Sequence, residues 1–205
     1  TMAEYKLLVT YNNETQEEIY DPYAFPSQYT ESDLKRFSSG IHYEVYEKMG
    51  AHPMKVYGVE GVLFSVWAPC AMRVSVVGDF NMWDGRRHQM ELHEGYGIYE
   101  LFIPGLKEGE IYKYEIKKMN GDPILKADPY ANYGELRPNT ASVIWDINKY
   151  QWSDKEWMKT RAKTNSKKKR MSIYEMHLGS WKRKELEVDE DGKAVPGSEF
   201  YNYRE

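Results

Sequence analysis

Between Val62 and Lys117 the chain alternates side chains with a period of two, in four separate runs, and a helix cannot satisfy that pattern. Val62, Phe64 and Val66 alternate with Leu63, Ser65 and Trp67. Val74 and Val76 alternate with Arg73 and Ser75. Tyr99, Leu101 and Ile103 alternate with Ile98, Glu100 and Phe102. Tyr112, Tyr114 and Ile116 alternate with Ile111, Lys113, Glu115 and Lys117. Each run predicts a half-buried strand. Turn-forming residues separate them at Ala68-Pro69, Asp84-Gly85, Pro104-Gly105 and Asn120-Gly121-Asp122-Pro123. Short strands at this spacing predict an all-β fold, an immunoglobulin-like β-sandwich, over residues 54–145.

The flanks read differently. Residues 1–53 form an N-terminal extension with one short helix expected at Glu31 to Phe37, capped by Thr30 or Ser32 and ended by Gly40. Residues 146–205 begin with a helical stretch from Ser153 to Ala162, with Ser153 as cap and Asp154 and Glu156 in the first turn. The basic run Lys167 to Arg170 reads as a solvated linker. Met171 to Met176 then reads as a strand leading into His177-Leu178-Gly179-Ser180-Trp181.

Charge and composition exclude several functions. A net charge of −4 over 205 residues argues against nucleic acid as a partner, because that affinity comes from clustered Lys and Arg. No apolar run is long enough to span a bilayer, so no membrane partner is expected. The single Cys70 allows no internal disulfide and fits a reducing, cytoplasmic setting. No glycine loop cradles a phosphate, and no Cys or His spacing makes a metal site, so neither cofactor nor metal is expected. No serine sits in a nucleophile-elbow pattern, and no pair of carboxylates is singled out for glycoside chemistry.

The 18 Tyr and 6 Trp are the unusual feature. Aromatic rings stack on the flat C–H faces of sugars, and they also fill β-sheet cores. The turn Gly78-Asp79-Phe80-Asn81-Met82-Trp83-Asp84-Gly85 places Trp83 in a loop. Two readings of Trp83 stand: an exposed platform for a glucose ring, or a plug for one end of the sandwich. Lys113 is the second candidate, outward-facing with Glu115 and Lys117; its readings are a donor to sugar hydroxyls or an ordinary solvated strand face.

Longer segments carry a resemblance. GVEGVLFSVWAPCAMRVSVVGDFNMWDGRRHQM, GIYELFIPGL and IYKYEIKKMNGDPILKADPYA resemble the N-terminal module of 1,4-α-glucan (glycogen) branching enzymes of the α-amylase superfamily. DPYAF and HYEVYEKMGAHPM resemble the segment before that module, and SIYEMHLGSW resembles the first strand of the family's (β/α)8 barrel. The resemblance covers about residues 20 to 205. It implies a glucan-binding sandwich followed by the opening of a catalytic barrel. The family cleaves an α-1,4 link and rejoins the cut chain as an α-1,6 branch, through a retaining mechanism with three carboxylates on later barrel strands. None of the three maps onto this chain, so no catalytic residue is assigned and the 205-residue chain is expected to be inactive alone.

The resemblance also places Trp83 and Lys113 on glucan-binding positions, with Asn81 from the same turn. A further Trp of related modules is unmatched, because Asn120-Gly121-Asp122-Pro123 stands there. The implied partners are α-glucan, either glycogen or a maltooligosaccharide, and the catalytic barrel of the same enzyme. A homodimer through the Met171–Met176 strand is a further expectation, since an unpaired apolar strand invites pairing. The alternative to binding is a structural module that packs against the barrel with little glucan affinity of its own.

Overall fold

The structure, a computed structural model, describes residues 5–164, 170–202 and 204. Lys167, Lys168 and Lys169 of the basic run lie outside these. Two units divide the chain, Thr1–Gln151 and Trp152–Glu205.

In the first unit the alternating runs become β4 (Val59–Trp67), β5 (Ala71–Gly78), β7 (Ile98–Pro104) and β8 (Ile111–Lys118), joined by β3 (Gly50–Val56), β6 (Glu91–His93), β9 (Ile124–Lys126), β10 (Tyr133–Gly134) and β11 (Ser142–Val143). An N-terminal hairpin, β1 (Leu7–Thr10) and β2 (Gln16–Ile19), forms a separate two-stranded sheet. All pairings are antiparallel. One sheet runs β3-β4-β7-β6; the other runs β10-β11-β8-β5, with β9 also on β8.

The inner faces meet as the parity requires. Val62, Phe64 and Val66 of β4 and Tyr99, Leu101 and Ile103 of β7 pack with Val74, Val76, Tyr112, Tyr114 and Ile144. Phe64 meets Tyr112 edge-to-face at 5.0 Å and 70°. Each such side chain contributes roughly 1.5–3 kcal/mol by leaving water. Two tyrosine hydroxyls come with this packing, and a buried hydroxyl without a partner is costly. Asp128 answers both: its Oδ2 accepts from Tyr112 at 2.6 Å and from Tyr114 at 3.2 Å. Its Oδ1 accepts the Tyr130 N–H at 2.8 Å, and its own N–H donates to Ser142 Oγ at 2.9 Å.

The outer face of the first sheet departs from the expected half-buried pattern. Leu63, Ser65, Ile98, Glu100 and Phe102 are buried as well. Residues of the N-terminal segment cover them as a third layer: Phe25 on Leu63 and Phe102, and Tyr29, Leu34 and Met49 on Ile98. Glu100 anchors this layer, accepting from Ser27 Oγ at 2.7 Å and from the Gln28 N–H at 2.5 Å, with His93 Nε2 at 2.7 Å. Within the layer lies α1 (Glu31–Ser38). Thr30 caps it through a capping box with Asp33, and the left-handed Gly40 (φ +70) lets the Ile41 N–H return to Arg36 O at 3.0 Å.

In the second unit α2 spans Lys155–Thr164 and α3 spans Leu178–Trp181. The expected strand at Met171–Met176 is corrected here: these residues form no strand, and Ile173 is 81 % exposed. A strand exists only through its cross-strand hydrogen bonds, and among the described residues none pairs with this segment.

Replacing Asp128 with Ala takes the 2.6 Å acceptor from the Tyr112 hydroxyl and leaves the Tyr114 hydroxyl only its 3.3 Å bond to Ser65 O, and is expected to cost about 2–4 kcal/mol in urea unfolding. Burial raises the Asp128 pKa above its ordinary 3.8. The native state therefore holds that proton more tightly than the unfolded chain, and the stability it brings declines as pH rises through the folded value. The penalty of Asp128→Asn should be larger near pH 4 than near pH 7; a penalty that grows with pH would mean that the folded state lowers this pKa instead.

Candidate functional site

The turn after β5 is built around Asn81. This side chain is 1 % exposed. Its Oδ1 accepts the Gly78 N–H at 3.0 Å, and its Nδ2 donates to Val76 O at 2.9 Å and lies 2.8 Å from His88 Nδ1. An amide nitrogen only donates, so His88 Nδ1 is the acceptor and the ring proton sits on Nε2. Burial, and then the charge of Arg87, push the His88 pKa below its ordinary 6.5, which keeps that acceptor free at neutral pH. Asn81 leaves no polar atom for a ligand. Its place as a sugar contact is therefore corrected: it shapes the turn from inside.

That shaping is needed because the next two residues are strained. Met82 (φ 58) and Trp83 (φ 59) both adopt the left-handed conformation, which costs a non-glycine residue about 1–2 kcal/mol. The Trp83 N–H donates to Gly78 O at 2.9 Å, and its indole Nε1 donates to Asp79 Oδ1 at 2.7 Å. Trp83 is half-buried and takes no part in the sandwich core. The Asp79 bond orients its ring, which is partly exposed and lies outside the sandwich core.

Lys113 lies on β8 directly opposite Val77 of β5, and paired residues share a face. That face is the outer one, since the neighbouring Tyr112 and Tyr114 point to the core. The turn folds over the same face. A Cβ on Gly85 would meet the Glu115 carboxylate, so the turn lies directly against this part of β8. Glu115 is also tied to Arg73 by an ion pair. Lys113 is not free in solvent: its Nζ donates to Thr140 Oγ1 at 2.8 Å. Lys113 thus lies on the outer face of the β5–β8 sheet, and the turn that carries Trp83 folds over the same face.

Thr140 carries no sequence signal. The two-residue pairing of β11 with β8, Ser142 opposite Tyr112 and Val143 opposite Ile111, brings it beside Lys113. The loop that carries it is held by Glu135, whose Oε2 accepts the Ala141 N–H at 2.9 Å and whose Oε1 accepts from Asn139 at 3.2 Å. Among the described residues no group of three or more His, Cys, Asp or Glu side chains is placed to hold a metal ion. No helix there is long and apolar enough to cross a membrane.

The fold is a two-sheet antiparallel sandwich, with Trp83 in the turn after β5 and Lys113 tethered to Thr140 on the outer face of β8. Residues 48–131 match the family described as carbohydrate-binding module 48 (isoamylase N-terminal domain), and the chain carries this domain. Nearly the whole chain is similar to the N-terminal portion of 1,4-alpha-glucan branching enzymes. It is 48 % identical to that of Thermosynechococcus vestitus, over 97 % of this chain and 27 % of the relative. It is 48 % identical to that of Rubrobacter xylanophilus, over 88 % of this chain and 25 % of the relative. It is 44 % identical to that of Synechococcus elongatus, over 100 % of this chain and 28 % of the relative. The chain thus spans about a quarter of the length of these curated relatives. Of the solved structures, a putative alpha amylase from Salmonella typhimurium aligns at a TM-score of 0.41 and 22 % identity, over 53 % of this chain and 16 % of that one.

Asn81→Ala removes three buried hydrogen bonds beneath a strained turn and should lower stability by about 2–3 kcal/mol. Trp83→Ala, which removes the Asp79 bond and a partly buried ring, should cost less, about 1–2 kcal/mol. Chemical unfolding of the two variants side by side checks this, and equal losses would contradict the division of roles.

Proposed function

We propose that the chain binds α-1,4-glucan, glycogen or a maltooligosaccharide, on the outer face of the β5–β8 sheet. In this reading Trp83 is the stacking platform and Lys113 is a donor to sugar hydroxyls. The observation that carries it is the held Trp83 ring: two left-handed residues and the indole bond to Asp79 set a large, partly exposed aromatic in the turn, outside the sandwich core. The Lys113–Thr140 pair supplies polar groups on the same face. A preformed ring loses little freedom when a flat sugar face settles on it.

The relatives suggest the setting. Within a 1,4-alpha-glucan branching enzyme the module would dock a glucan while the remainder of the protein cuts an α-1,4 link and forms an α-1,6 branch. A reducing cytoplasm, the place of glycogen synthesis, fits the single exposed Cys70. The second reading is a module that mainly packs against a catalytic barrel. It is favoured by the relatives' carrying this portion ahead of about three quarters more chain.

One stacked aromatic adds about 0.5–1.5 kcal/mol beyond its buried area, so a short oligosaccharide should bind with Kd on the order of millimolar. Overlapping sites along glycogen raise the apparent affinity. In a native gel containing glycogen the wild-type chain should be retarded, and Trp83→Ala should run ahead of it. Equal migration of the two removes Trp83 from the binding site, and no retardation of either favours the packing reading.

A further inference from the structure

Beyond Lys113 the same side of the molecule carries an aromatic pair that the glucan reading leaves unused. Tyr133 is opposite Val143, which is opposite Ile111, and Ile111 shares its face of β8 with Lys113. Tyr133 therefore projects from the same outer face. It is 49 % exposed, and its ring stacks on Trp145 at 4.8 Å and 33°. Trp145 is held in turn by the Lys149 ammonium 3.2 Å from its ring centroid, and Lys149 is ion-paired to Glu108. The exposed tyrosine thus rests on a braced support.

Tyr133 and Thr140 line one open groove of about 510 Å³. It is open to solvent, the form of a surface groove for an extended chain rather than of an enclosed pocket. Thr140 is also the residue that takes the Lys113 ammonium, so the groove begins where the Trp83–Lys113 surface ends. Arg137 and Asn132, both exposed, line it too and bring amide and guanidinium donors. An aromatic platform flanked by neutral and cationic donors, with Glu135 already engaged by the Ala141 N–H and Asn139 and the other lining carboxylate, Asp128, by Tyr112, Tyr114 and the Tyr130 N–H, suits a neutral polyhydroxylated chain.

We propose that this groove is a second glucan subsite, with Tyr133 as its stacking platform. A run of α-1,4-linked glucose would extend from Trp83 past Lys113 and Thr140 to Tyr133. The subsite rests on the glucan reading of Trp83 and Lys113. Its consequence is chain-length selectivity: a short oligosaccharide fills the Trp83 end alone, and a longer one engages both platforms.

The test is calorimetric titration of the full 205-residue chain and its variants with maltotriose and with maltoheptaose. Tyr133→Ala should weaken maltoheptaose binding roughly five- to tenfold and leave maltotriose within about twofold. Tyr133→Phe, which keeps the ring, should restore wild-type binding. Arg137→Ala, on an exposed loop, should weaken maltoheptaose alone by roughly two- to threefold, and it serves as the probe if Tyr133→Ala does not fold. Trp83→Ala should weaken both sugars. Equal losses for the two sugars in the Tyr133→Ala and Arg137→Ala variants, or no loss for either sugar, overturn the subsite while Trp83→Ala still weakens binding. If the wild type binds neither sugar, or Trp83→Ala changes neither affinity, the underlying glucan reading falls with it.

Discussion

The carboxylate of Asp128 joins the core to the surface. Two tyrosines of β8 point inward with hydroxyls that the apolar core cannot satisfy, and Asp128 accepts both. The same carboxylate takes the Tyr130 N–H, and the Asp128 N–H reaches Ser142 on β11. One buried acid thereby ties the centre of the second sheet to the segment that carries Tyr133 and Thr140. A fully apolar core would fill the same volume. It would not fix where that segment crosses β8, and Lys113 would then have no partner in Thr140.

The N-terminal layer sets the other limit. Residues such as Phe25, Tyr29 and Met49 cover the outer face of the β3–β4–β7–β6 sheet, and Glu100 pins them through Ser27 and Gln28. That face is closed to a ligand along most of its length. The opposing sheet is covered on the β5 side of its outer face, where Ser75 and Val77 are buried and the turn from Asp79 to Gly85 crosses, and it is more open along β8, where the tethered Lys113 lies. In the proposed reading, burial on one side of the sandwich leaves recognition to the other.

The long strands were legible because their side-chain period is two and their inner faces are uniformly apolar. The Thr30 cap and the Gly40 stop were legible because each is a local hydrogen-bonding event. β9, β10 and β11 were not, since two or three residues hold no periodicity. The third layer was hidden for a different reason: Leu63 and Phe102 look the same in sequence whether their outer face meets water or Phe25. The site divided along similar lines. Trp83 stood out as a large aromatic in a turn. Asn81 beside it read as a polar surface group, but its amide turns inward to hold the strained backbone. Thr140 and Tyr133 reach Lys113 only through strand pairing over a long sequence interval. Met171–Met176 read as a strand from its composition, and composition does not supply a neighbouring strand to bond with.

The central claim is that glucan is recognised on the outer face of the β5–β8 sheet. Titration of the isotopically labelled chain with maltoheptaose, followed through backbone and indole N–H resonances, tests it most directly. The account predicts shifts at the Trp83 indole and along Lys113, Thr140 and Tyr133, with Trp67 on the opposite sheet unmoved. Shifts centred on Trp67 and the N-terminal layer, or none at the Trp83 indole under saturating sugar, would contradict it.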